Sequence, residues 1–137
     1  MRALATILAI GFMTGVVSMV AQSVGAPPTS DTSGRVLRHI VLYKFKDDLR
    51  PEQVQEVVDA FAALPKKIAT IVGFEAGTNT SNEGKSQGLT HAFVVSFRSE
   101  KDRDAYLVHP AHLDYVSVVR DRREKVIVFD YWTSESK

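Results

Sequence analysis

The sequence contains no cysteine. That excludes a disulfide framework and a cysteine-linked lipid anchor, so the fold must rest on its apolar core. Charge is missing from the N-terminal stretch as well: no charged side chain lies between Arg2 and Asp31, and Ala3 to Ala21 is an almost unbroken apolar run. One basic residue, an apolar middle and then small polar residues form the layout of a secretory signal. Ala21-Gln22-Ser23 offers small residues at the positions a signal peptidase reads, so cleavage after Ser23 is expected. Val24-Gly25-Ala26 is the weaker site, because Pro27 would follow the cut. The expected location is secreted or periplasmic. The alternative is a membrane anchor through residues 3–21, a run roughly long enough to span a bilayer.

Net charge is also lacking. The whole chain carries +1, and residues 1–23 contain one arginine and no acid, so the remainder is neutral. Nothing in it forms a basic face for nucleic acid or an acidic tail. Repeats and low-complexity tracts are absent from the folded part. The sequence divides into a signal at 1–23, a flexible leader at 24–36, a domain at 37–133 and a tail at 134–137. Roughly 100 residues make a modest core, one that often gains from dimerisation.

What is present is a clear succession of elements. Residues 38–46 (RHIVLYKFK) are rich in β-branched and aromatic side chains and read as a strand, with His39, Val41, Tyr43 and Phe45 on one face. Pro51 suits a first helical turn, and Val54, Val57, Val58, Phe61 and Leu64 follow at helical spacing up to Pro65. Residues 71–78 read as a second strand, 79–88 as an exposed polar connection, and 89–97 as a third strand with His91, Phe93, Val95 and Phe97 on one face. Ser99 caps a second helix, with Asp102 three residues on. That helix runs to about Val108. His109 precedes Pro110, is biased away from helical geometry, and should break the helix, which restarts over 110–120 with Leu113 and Val116 among its spaced apolar positions. Residues 125–132 (KVIVFDYW) form the last strand. The order is βαββαβ, an α+β ferredoxin-like fold with one four-stranded antiparallel sheet.

Together, RHIVLYKFK, GTN, GLTHAFVVSF, YLVHPAH and VFDY resemble the stress-responsive A/B barrel (Dabb) family over Arg38 to Trp132. The resemblance implies a ferredoxin-like subunit that dimerises through its sheets into an α/β barrel. Many members have no assigned activity, and one plant member closes a polyketide ring by aldol condensation. Carried over by position, that member's general base falls on His112, its partner tyrosine on Tyr106, and two further pocket histidines on His39 and His91.

The residues permit the same chemistry on their own terms. If Pro110 opens a helix, His112 lies in its first turn, where the positive end of the dipole disfavours imidazolium and leaves a neutral base. Tyr106, at the end of the preceding helix, can approach across the break and hydrogen-bond an enolate oxygen. The plainer alternative is that His109 and His112 bond free backbone groups at two helix ends; His109 and Pro110 are read as such a structural junction. His39 and His91 share strand faces with aromatic residues and are expected side by side in one pocket, with Tyr43 and Phe93 as walls. No metal site is expected: His39 and His91 could complete one with His109 and His112, but the proline disrupts the helical spacing of that pair and no Asp or Glu is obviously convergent. No cofactor is expected either. An RNA-recognition strand is excluded by the Phe93–Phe97 spacing and the missing basic-Gly pair. The alternating charges of residues 98–106 read as a solvated helix face, and Trp132 as a packing residue.

Two functions follow. One is a ligand-binding or stress-protective dimer that holds a small aromatic or apolar carbonyl compound. The other is a cofactor-free cyclase, lyase or isomerase with His112 as base and Tyr106 as donor. Both alternation sets on strands one, three and four contain apolar residues, so a second copy should cover the face the helices leave open. Light scattering at micromolar concentration should therefore report a dimer, and a monomer would contradict this reading.

Overall fold

The inner sheet face is set by alternation in the first strand. In β1 (Leu37–Phe45) every odd-numbered residue is buried, and every even-numbered one is only partly covered. The computed structural model describes residues 34–133; the signal, most of the leader, and the tail lie outside them. The elements that follow are α1 (Pro51–Ala62), β2 (Gly73–Thr78), β3 (His91–Phe97), α2 (Glu100–Leu107), α3 (Pro110–Arg120) and β4 (Arg123–Trp132). A short 3-10 turn, Leu64–Lys66, carries Pro65 just beyond α1.

The sheet order is β2-β3-β1-β4 with all neighbours antiparallel. Directly paired residues share a face, so Leu37, His39, Val41 and Tyr43 stand beside Phe97, Val95, Phe93 and His91 on one side. On the other side of β1 they stand beside Trp132, Asp130, Val128 and Val126. The helices cover this inner face. Val57 and Phe61 from α1, Tyr106 from α2, and Tyr115 and Val119 from α3 are buried against it. Phe61 sits at the centre, stacked on Phe93 at 4.6 Å and close to Tyr115 at 4.4 Å between ring centroids. Each such side chain contributes roughly 1.5–3 kcal/mol by burial. The α3 face differs from expectation. Leu113 is exposed while Tyr115 is buried, because the helix turns its 115/119 edge to the sheet.

The two helix starts show how local sequence sets the geometry. The Asp102 N–H donates to Ser99 Oγ at 3.1 Å, the cap expected for α2. His109 is extended (φ −67°, ψ 135°), and its Nδ1 accepts from the Ala111 N–H at 3.1 Å, capping α3 ahead of Pro110. The break is therefore a turn with its own cap.

Among the described residues, no helix covers the outer face. Ile127 is 37% exposed, Phe129 61% and Tyr131 42%, next to partly covered Ile40 and Leu42 on β1. β4 is an edge strand that also runs past the helices on the inner side, where Val126 and Val128 remain exposed.

Candidate functional site

A cavity of about 280 Å³ opens where the helices stop short of β4. His39, Val41 and Tyr43 of β1 and Val126, Val128 and Asp130 of β4 line one side, and Arg103, Tyr106, His112 and Tyr115 of the helices line the other. Four of the expected residues (His39, Tyr43, Tyr106 and His112) meet here. His91 and Phe93 do not. The register sets His39 opposite Val95 and His91 opposite Tyr43, four residues further along β1, about 13 Å at strand rise. His91 instead packs edge-on against Phe45 at 4.9 Å, and with Phe93 borders a separate hollow of about 150 Å³ beside α1.

At one end of the cavity a carboxylate does converge, contrary to the sequence reading. Asp130 Oδ1 lies 2.7 Å from His39 Nδ1, and its Oδ2 accepts from Arg103 Nη1. A carboxylate can only accept, so Nδ1 of His39 carries the proton. Arg103 also donates to Asp104 at 2.8 Å. Its bond to Asp130 means that the charged run 98–106 is not wholly a solvated face: one arginine turns inward. Two signals for these residues lay in the sequence. Asp130 is the single charge in the apolar run 126–132 and alternates with Val128 and Trp132, while Arg103 lies one turn before Tyr106.

His112 is fixed by the helix break. Its Nδ1 lies 3.1 Å from the carbonyl oxygen of Leu107, one of the free acceptors at the end of α2. A carbonyl cannot donate, so this nitrogen carries the proton, and in the neutral ring Nε2 keeps its lone pair. The imidazole packs against Tyr106 with centroids 4.3 Å apart, and Tyr106 in turn lies 5.8 Å from His39. Burial lowers the His112 pKa, with His39 and His109 adding to the effect and the Leu107 carbonyl partly offsetting it. Burial, with the nearby Tyr43, pushes the Tyr106 phenol up, so it stays protonated as a donor. At the other end, Tyr115 donates to the Tyr43 oxygen at 3.0 Å. Tyr115 was not singled out in the sequence, although it lies three residues beyond His112. Among the described residues, no cluster of three or more His, Asp or Glu is arranged to hold a metal ion.

Residues 37–133 match the family described as Stress responsive A/B Barrel Domain. The chain belongs to this family. Its domain is 34% identical over 95 residues to the stress-response A/B barrel domain-containing protein HS1 of Arabidopsis thaliana, covering 69% of this chain and 87% of that protein. It is 30% identical over 95 residues to olivetolic acid cyclase of Cannabis sativa, covering 69% and 94%. Among solved structures, a dimeric protein of ferredoxin-like fold from Bacteroides fragilis aligns with a TM-score of 0.58 and 29% identity, covering 70% of this chain and 94% of that one. This fold thus has a structural neighbour that is a dimer.

Burial also lowers the His91 pKa, so His91 and His112 both bind protons less readily folded than unfolded. Above the ordinary histidine value of 6.5 both states are neutral and this source of stability is complete. As pH falls through the folded values the unfolded chain protonates first, and the contribution is lost. The urea midpoint should therefore be lower at pH 5 than at pH 7.5. His112→Gln should shrink the difference, and an unchanged difference in that variant would contradict the burial of this ring.

Proposed function

We propose that this chain is an exported homodimer whose inner-face cavity binds a small, partly apolar carbonyl compound and acts on it without a cofactor. His112 takes a proton from the carbon beside the carbonyl, and Tyr106 hydrogen-bonds the oxygen as enolate charge develops. The reaction class is that of a cyclase, lyase or isomerase.

The observation that carries this reading is the bond from His112 Nδ1 to the Leu107 carbonyl, made in a cavity that opens to solvent beside β4. It leaves the other ring nitrogen as an acceptor, and the lowered pKa keeps it unprotonated near neutral pH. A ring that merely pinned the helix joint would not need the cavity beside it. The walls suit the ligand class: Val41, Phe61, Val116 and Val128 are apolar, and the polar groups are few and convergent. The kinship with a protein named as a cyclase supports the same chemistry. The dimer is supported by the exposed Ile127, Phe129 and Tyr131 on one sheet face and by the dimeric neighbour. Export is supported by the charge-free apolar run before Asp31.

Acetophenone in deuterium oxide provides the test, because its methyl protons exchange slowly without a catalyst. The wild-type chain should accelerate the exchange, and His112→Gln should reduce that acceleration by about 100-fold or more. Binding, followed by ligand line broadening, should be retained in the variant. Binding with no acceleration by the wild type would instead favour a ligand-holding protein without catalysis.

A further inference from the structure

We infer that the end of the cavity formed by Arg123, Tyr43 and Tyr115 is an anion subsite, and that the ligand carries a carboxylate there. This rests on the reading of the cavity as a ligand site and narrows its substrate to oxo-acids.

The subsite is made by an irregularity in β4. The β1–β4 pairing is regular from Leu37↔Trp132 to Lys44↔Lys125, and the next pair is Phe45↔Arg123, so Glu124 is an extra residue. In an unbroken ladder Glu124 would stand opposite Phe45 and face the helices. The bulge gives that place to Arg123 and leaves Glu124 to meet Lys44 Nζ at 2.9 Å. One inserted residue thus exchanges a carboxylate for a guanidinium at the cavity wall, a known use of bulges beside functional sites.

Arg123 then sits half-buried with its guanidinium carbon 5.9 Å from the Tyr43 ring centroid. Among the described residues it has no carboxylate partner, whereas adjacent Arg122 is paired with Glu56 at 2.7 Å and donates to the Gln53 carbonyl. Next to it, the Tyr43 oxygen accepts from Tyr115, which leaves the Tyr43 hydroxyl proton for another acceptor. A partly desolvated guanidinium and a phenol with a proton to give, both lining one cavity, are completed by an anion. The stretch between this end and His39 is apolar, lined by Val41 and Val128. His112 lies between the ends, 4.3 Å from Tyr106 and 6.3 Å from Tyr115 by ring centroids. A ligand with a carboxylate at Arg123, a ring-sized apolar spacer and a carbonyl at His112 and Tyr106 satisfies all three regions.

Calorimetric titration of the full chain with 4-acetylbenzoate and with its neutral isostere 4-acetylbenzamide tests the assignment. The acid should bind about tenfold tighter or more, as expected for a charge-assisted contact. Arg123→Gln should erase that preference while leaving amide binding within about threefold, and Arg123→Lys, which keeps the charge and the fold, should retain part of it. Equal binding of acid and amide by the wild type, or a preference that survives Arg123→Gln, overturns the anion subsite and leaves the cavity reading standing. Absence of binding by both compounds overturns the two together.

Discussion

The Asp130 carboxylate holds this architecture's functional half together. It is shared between His39 of β1 and Arg103 of α2, so one side chain of an edge strand ties both the neighbouring strand and a helix to fixed positions. A partly buried carboxylate needs such partners, and removing either would leave it poorly compensated. The consequence is geometric as much as energetic. β4 is held against β1 at one end of the cavity, His39 is held in one tautomer, and α2 is set so that Tyr106 lies edge-on to the His39 ring. Tyr106 in turn is the surface on which His112 packs. The chain of contacts runs from one carboxylate to the proposed base without leaving the cavity wall.

The second constraint is the proline break. Pro110 forbids a continuous helix over 100–120, and the chain uses the interruption twice. His109 satisfies a free N–H at the start of α3, and His112 satisfies a free carbonyl at the end of α2. The two histidines thus do opposite things. One accepts through Nδ1 and is spent on the joint, whereas the other donates through Nδ1 and so keeps its remaining nitrogen for a ligand. A capping interaction and a general base are not alternatives for His112, because the cap is what fixes the tautomer that a base requires.

Features that depend on neighbours in sequence were legible from it. The element order, the Ser99 cap, the break at His109 and the odd-numbered inner face of β1 all rest on short-range pattern, and the ferredoxin-like fold followed from their succession. Pairing register is a long-range property, and there the reading failed. His39 and His91 lie on adjacent strands and the same face, yet the offset of one antiparallel pair holds them about 13 Å apart. Asp130 looked isolated because its partners are 91 and 27 residues away in the chain. Arg123 had no signal at all: without the bulge, alternation would have turned Glu124 inward instead. The sequence therefore pointed to His112 and Tyr106 but not to the charged groups at the two ends of their cavity.

The proposed chemistry depends on the protonation of one ring. A long-range proton–nitrogen spectrum of the nitrogen-15-labelled chain at pH 7.5, with His112 assigned by its loss in His112→Gln, reads the tautomer directly. A neutral His112 with the proton on Nδ1 and an unprotonated Nε2 is expected. A charged ring, or a neutral ring with the proton on Nε2, would contradict it.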